Sequence, residues 1–198
     1  MSVLSKMVEA DQLLFRKING EWHNSFFDGF LAFTRQPQIW MPFYFFLILF
    51  TTLNFKRHGW YWVLFFAATA ILSDYISSSI IKEAVMRLRP CQDPSMIPGL
   101  RLLVNGCPGN PGFTSSHATN HFFASMFIFT TYKNQVSKWW GLIFIWAFTI
   151  SYAQVYVGVH YPGDVIGGGI LGCMIGYLSG RLFNDKLGLK YPEMIKHD

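Results

Sequence analysis

The chain has 198 residues, of which 52% are hydrophobic, 18% aromatic and only 14% charged, with a net charge of +5. A soluble domain of this size carries about 25% charged residues, so the composition excludes an ordinary water-soluble enzyme and points to one integral membrane domain. The positive balance reads as membrane topology plus an anionic substrate rather than nucleic acid, because no basic stripe with interleaved aromatics lies in a polar segment.

Residues 3–33 are amphipathic, with Leu13, Leu14, Phe15, Ile18, Trp22, Phe26, Phe27, Phe30 and Phe33 set among charges. That pattern suits a helix lying at the membrane interface or a tilted partial span. Glu9 and Asp11 interrupt any cleavable signal pattern. Crossing the hydrocarbon core takes roughly 20 apolar residues, fewer where the helix is buried in protein. Segments 39–55, 60–81, 139–156 and 165–183 qualify, and 118–132 is a weaker candidate because Thr119, Asn120 and His121 open it. The expected fold is therefore all-α, a polytopic transmembrane helix bundle of five or six spans. Its expected parts are an N-terminal helical segment over 1–35, a membrane domain over 36–183 with an outward loop over 82–117, and a cytoplasmic tail over 184–198.

Under this count 82–117 and 157–164 share one face, and Lys56, Arg57, Lys133, Lys138, Arg181, Lys186, Lys190 and Lys196 collect on the other. The basic face is expected to be cytoplasmic, so the first face looks outward. Lys6, Arg16 and Lys17 fit this only if a sixth span places them inside. Cys91 and Cys107 flank the outward loop, and an oxidising compartment allows either a bridge between them or two free thiols. A zinc site is not expected, since no Cys-x2-Cys or paired His/Cys spacing occurs. Gly168, Gly172, Gly176 and Gly180 stand one per turn in the last span, a small-residue stripe that lets another helix approach inside the bundle. Asp74 among Ser73, Ser77, Ser78 and Ser79 reads as a polar contact between helices, against a proton or ion path.

Three segments carry the chemistry. In His160-Tyr-Pro-Gly-Asp164, Pro162 suits the first turn of a helix and Asp164 falls in that turn, where the dipole favours a carboxylate. A carboxylate on one imidazole nitrogen leaves the other as nucleophile or base, although a capping aspartate beside a boundary histidine reads equally well. In Thr114-Ser115-Ser116-His117, Thr114 is the natural N-cap, and free N–H groups with hydroxyls make an anion site, with His117 one turn in as a proton donor. His121, a turn further, is read as packed polar. In Lys82-x6-Arg89-Pro90, Arg89 offers a planar fork for two phosphate oxygens and Lys82 a point charge, and Pro90 is expected to end the helix. Both cations also suit ordinary snorkelling flanks. Jointly the segments gather groups for moving a phosphoryl group without a metal or cofactor.

At these residues the chain resembles the type 2 phosphatidic acid phosphatase family of lipid phosphate phosphatases, which shares its core with acid phosphatases and vanadium haloperoxidases. Lys82, Arg89 and Pro90 match its Lys-x6-Arg-Pro; Ser115 and His117 match Pro-Ser-Gly-His; His160 and Asp164 match Ser-Arg-x5-His-x3-Asp. The resemblance implies His160 as the nucleophile forming a phosphohistidine, Asp164 orienting it, His117 as the general acid, and Lys82, Arg89, Ser115 and Ser116 at the phosphate. The third motif departs: Ala153-Gln154 stands where the family has Ser-Arg. Gln154 still donates hydrogen bonds but brings no charge. Arg101 on the loop is the expected substitute cation, in preference to Arg87, which is expected on another helical face. The implied activity is hydrolysis of a lipid mono- or diphosphate, with undecaprenyl diphosphate favoured over phosphatidylglycerophosphate, phosphatidic acid and lipid A phosphate. The implied location is a bacterial inner membrane, with the site facing the periplasm or cell exterior. The alternative is a non-catalytic protein that binds or transports a phospholipid headgroup, marked by Gln154; two retained histidines argue against it.

Overall fold

The computed structural model describes residues 2–134 and 136–190, and is helical with no strand among them. Lys196 and the rest of 191–198 lie outside the described residues. The helices are α1 (Val3–Arg16), α2 (Ser25–Thr34), α3 (Met41–Tyr75), α4 (Lys82–Val85), α5 (Ser116–Tyr132), α6 (Ile143–Tyr156) and α7 (Pro162–Lys186). A π-helical stretch, Lys17–Glu21, extends α1, and another, Ile76–Ile81, joins α3 to α4.

Among the described residues two helical stretches are long and apolar enough to cross a membrane, Pro37–Val85 and Pro162–Lys186. As a single rod the 49 residues of the first would extend roughly 74 Å, more than twice a hydrocarbon core. The chain instead breaks at Lys56 (φ 50°, ψ −121°). A Cβ on Gly59 would lie 2.8 Å from the Thr52 Cα, a proximity impossible for residues seven apart along a straight helix. The two arms, 41–55 and 57–75, therefore double back on each other, as the separate expected spans 39–55 and 60–81 require. Segments 118–132, 139–156 and 165–183 fall on helices α5, α6 and α7, of which α7 is the one long and apolar enough to cross by itself.

Helix α5 is the centre of the bundle. Phe123, Phe127, Ile128 and Tyr132 are buried with Leu47, Phe55 and Trp62 of α3 and Phe183 of α7. Inside a bilayer these contacts stabilise through close van der Waals packing between helices rather than through removal from water. The polar ends are paired: Trp62 Nε1 donates to Thr131 Oγ1 at 2.8 Å, and Tyr132 and Thr51 hydrogen-bond through their hydroxyls. The glycine stripe of α7 faces α5. A Cβ on Gly168 would stand 2.7 Å from the Ser115 carbonyl oxygen and one on Gly176 2.5 Å from that of Phe123. Only glycine lets the two backbones meet so closely. Outside this core, Leu53, Leu64 and Ile71 of α3 and Ile166, Ile170, Met174 and Leu178 of α7 are exposed. Apolar faces this extensive need a nonaqueous surrounding.

The N-terminal segment is docked onto the bundle. Phe15, Ile18 and Leu31 pack with Met96, Tyr156, Val159 and Tyr161 in a second core beneath the loop. Buried Asn19 donates to the carbonyls of Arg101 and Tyr156, both at 2.7 Å, and accepts from the Arg101 N–H at 2.9 Å. Asn24 caps α2, accepting from the Phe27 N–H. The Tyr156 hydroxyl donates to Asp28 at 2.7 Å, fixing α2 against α6. Cys91 and Cys107 are disulfide-bonded, with Cα atoms 5.8 Å apart, which closes the loop between α4 and α5.

Candidate active site

A polar cavity of about 250 Å³ lies where the ends of α2, α4, α5 and α6 and the loop before α7 converge. Its walls include Arg35, Ser78, Lys82, Arg89, Asn110, Ser116, His117, Gln154 and His160. Two larger cavities, of about 550 and 390 Å³, are lined almost wholly by apolar and aromatic side chains and carry no such cluster.

Helix α4 ends earlier than Pro90. Met86 turns left-handed (φ 51°), and 86–89 runs out of the helix, so Lys82 and Arg89 approach the cavity from different directions. Lys82 is buried and donates from Nζ to the Pro111 carbonyl at 3.1 Å. Arg89 is held by Asn110, through Nε to its carbonyl and Nη2 to Oδ1, both at 2.8 Å. Its Nη1 reaches the Val159 carbonyl at 3.0 Å and His160 Nε2 at 2.9 Å. A guanidinium can only donate, so His160 Nε2 accepts and the imidazole proton sits on Nδ1. That nitrogen faces Asp164 Oδ2 at 3.4 Å, an electrostatic contact longer than a normal hydrogen bond. Burial pushes the His160 imidazole down to about 4, against the opposing pull of Asp164, so it is neutral at physiological pH.

Asp164 is fully buried in the first turn of α7 as expected, and its Oδ2 accepts from the Tyr161 N–H at 2.9 Å. Arg87, which was expected on another face, reaches Asp164 Oδ1 because the helix has already ended; the same guanidinium pairs with Asp11 of α1. The Tyr161 ring packs under it, 4.5 Å from the guanidinium carbon. Gly158, at φ 92° with its Cα face against the Arg101 carbonyl, makes the turn that delivers 159–160 to the site.

The α5 N-cap is Ser115, not Thr114: its Oγ accepts from the Ala118 N–H, and it is fully buried behind the cavity wall. Thr114 instead hydrogen-bonds Ser77 at 3.0 Å. Ser116 lies in the wall, with its hydroxyl 2.8 Å from that of Ser78. His117 lines the cavity one turn into α5. His121 bonds the His117 carbonyl and packs its ring edge-on against Trp146, the packed role expected for it. Asp74 accepts from Asn120 at 2.7 Å, the expected contact between helices.

Arg101 is not at the site. It pairs with Asp28 Oδ2 at 2.6 Å and with the Asn19 carbonyl, which binds α2 to the loop. The cation that does reach Gln154 is Arg35, whose Nη2 donates to Gln154 Oε1 at 3.3 Å. Arg35 lies outside all three motifs, and nothing in its sequence context separates it from a helix-end cation. Among the described residues no group of three or more His, Cys, Asp and Glu side chains is placed to hold a metal.

The chain is 35% identical over 175 residues to a lipid A 4'-phosphatase of Bacteroides thetaiotaomicron, covering 86% of this chain and 75% of that protein. It is 28% identical over 170 residues to an undecaprenyl-diphosphatase of Sulfolobus acidocaldarius, covering 84% of this chain and 74% of the other. The fold matches the crystal structure of a transmembrane PAP2 type phosphatidylglycerolphosphate phosphatase from Bacillus subtilis, with a TM-score of 0.64 at 19% identity over 92% of this chain and 88% of that one. The family profile described as PAP2 superfamily matches residues 62–187, which hold all three motifs, and the chain belongs to that superfamily of membrane lipid phosphatases.

Proposed function

We propose that the protein is a membrane phosphatase that hydrolyses a phosphomonoester of a lipid A-type glycolipid through a phosphohistidine. The observation that carries the chemistry is His160: a buried, neutral imidazole whose unprotonated Nε2 opens on a cavity walled by Lys82, Arg89 and Arg35. In the proposed sequence an incoming phosphate takes over the Arg89 Nη1 donor, which frees the Nε2 lone pair to attack phosphorus. The P–O bond to the lipid breaks as His117 protonates the leaving oxygen. Asp164 stabilises the positive charge that develops on the His160 ring. His117 then takes a proton from water, which attacks the phosphohistidine and releases inorganic phosphate. Preorganised cations aimed at the transferring oxygens supply most of the stabilisation in such transfers. No step draws on a metal, and EDTA is expected to leave turnover unchanged.

The choice of lipid rests on the relatives. Identity is 35% with the lipid A 4'-phosphatase against 28% with the undecaprenyl-diphosphatase, which moves the favoured substrate away from undecaprenyl diphosphate. We place the site on the outer face of the membrane, because the cavity lies on the side opposite Lys56, Arg57, Lys133 and Lys138. The test is phosphate release by purified protein from lipid A, undecaprenyl diphosphate and phosphatidylglycerophosphate, with His160→Ala beside it. His160-dependent release with the highest kcat/KM on lipid A is the expected result. A preference for undecaprenyl diphosphate would overturn the substrate, and release that survives His160→Ala would overturn the nucleophile.

A further inference from the structure

Position 154 poses a physical problem for this site. Gln154 stands where the family pattern places an arginine, so the α6 wall of the cavity brings no charge of its own. We propose that Arg35 is the missing phosphate-binding cation, delivered from the end of α2 to the place that Gln154 leaves uncharged. This inference rests on the phosphatase reading above.

The geometry supports it in three independent ways. Arg35 lines the cavity that holds Lys82, Arg89, His117 and His160, although it is remote from all of them in sequence. Arg35 Nε and Gln154 Nε2 are both buried donors with no hydrogen-bond partner in the protein. Leaving such donors unpaired is costly, more so for a charged group, and an oxyanion between them would satisfy both. The third point is the identity of residue 154 itself. Its Oε1 accepts from Arg35 Nη2 at 3.3 Å, a contact that arginine at 154 would turn into repulsion between two guanidinium groups. The pair thus divides one arginine's work: Arg35 supplies the charge, and the Gln154 amide supplies a second donor and holds the guanidinium in place.

The backbone explains how Arg35 arrives there. It is the C-cap of α2, and Pro37 two residues later prevents the helix from continuing. Trp40 Nε1 donates to the Thr34 carbonyl at 2.7 Å, which fixes this corner. The Asp28–Tyr156 hydrogen bond locks α2 to α6 two residues beyond Gln154, so the helices carrying the two partners move as one.

The test uses full-length protein in detergent: wild type, R35Q, R35M and the double variant R35Q/Q154R. Each is assayed for lipid phosphate release and, by calorimetry, for orthophosphate affinity. R35Q and R35M are expected to lower kcat/KM by roughly 10²–10³-fold, as loss of an oxyanion donor does, and to weaken orthophosphate binding in parallel. R35Q/Q154R is expected to recover much of both, because the charge returns from α6. The rescue also excludes misfolding as the cause of the loss. A folded R35Q or R35M with near wild-type kcat/KM, or one that loses turnover with unchanged orthophosphate affinity, would overturn the proposal. If wild type itself releases no phosphate, the phosphatase reading falls. Orthophosphate affinity then decides the role of Arg35 alone: weaker binding in R35M supports it, and equal binding overturns it.

Discussion

Arg87 Nη1 donates to Asp164 Oδ1 at 2.8 Å, which ties the carboxylate beside His160 to a strand of backbone that has just left α4. The same guanidinium holds Asp11 at 2.6 Å, and Asp11 also accepts from the Gly163 N–H at 2.7 Å. The chain of contacts runs from α1 to the first turn of α7. Asp164 is fully buried, and Arg87 is its charge partner. Arg87→Met should therefore leave an uncompensated buried carboxylate and cost about 3 kcal/mol, the low end for a broken buried pair because Arg87 is partly exposed. Turnover should fall with it, as Asp164 loses the partner that holds it toward Nδ1. Thermal unfolding with phosphate release measures both. A variant of unchanged stability and kcat would show that the bridge is idle.

The imidazole of His160 gives a pH prediction with a definite sign. Its folded value, about 4, lies below its ordinary value of 6.5. Between these limits the unfolded chain binds the proton and the folded one does not, so stability from this group is complete above 6.5 and is lost as pH falls toward 4. Imidazole carbon shifts from selectively labelled histidine should show one ring, absent in His160→Ala, that stays neutral through pH 5. A His160 resonance titrating near 6.5 would contradict a buried, neutral imidazole at this position.

Much of this site was legible in the chain. Lys82, Arg89, His117, His160 and Asp164 sit in short motifs at the ends of apolar runs, where local spacing and helix-start signals constrain them. What stayed hidden depends on long-range geometry. Arg35 meets Gln154 across 119 positions, and no local pattern encodes that approach. Arg87 stays off the polar cavity, and its reach to Asp164 is hidden because the left-handed Met86 ends the helix before Pro90, a conformation for which Met gives no signal. Arg101 sits on the loop between α4 and α5, but its backbone is pinned by buried Asn19 and its side chain is drawn to Asp28, away from the cavity. Ser115 displaced Thr114 as N-cap by a single position, the usual scale of error for a helix end.

The Cys91–Cys107 bridge closes the loop that carries the supports of Arg89. Gln92 Nε2 donates to the Pro108 carbonyl at 2.9 Å, and Asn110 holds the guanidinium by two bonds. A closed loop of this length (sequence separation 16) stabilises by about 3 kcal/mol through the unfolded chain. Cys91→Ala/Cys107→Ala should lower the melting temperature and raise KM more than it lowers kcat, since Arg89 loses rigidity rather than identity. Reduction of the wild type by dithiothreitol should do the same. If both leave KM unchanged, Asn110 fixes Arg89 without help from the bridge.

Arg101 offers the sharpest contrast with Arg35, because one pairs with Asp28 in the first turn of α2 and the other caps the helix's far end. The Arg101–Asp28 pair is partly exposed, at 25% and 31%, and such pairs are worth about 0–1 kcal/mol. The Asp28–Tyr156 hydrogen bond and the backbone contacts of Asn19 survive its loss. Arg101→Ala should therefore lower stability by at most about 1 kcal/mol and raise KM modestly, as the end of α2 loosens, with orthophosphate affinity nearly intact. Side-by-side kinetics of Arg101→Ala and Arg35→Gln decide the matter. If Arg101→Ala costs as much turnover as Arg35→Gln, then Arg101 reaches the phosphate during catalysis, and the loop must swing toward the cavity to bring it there.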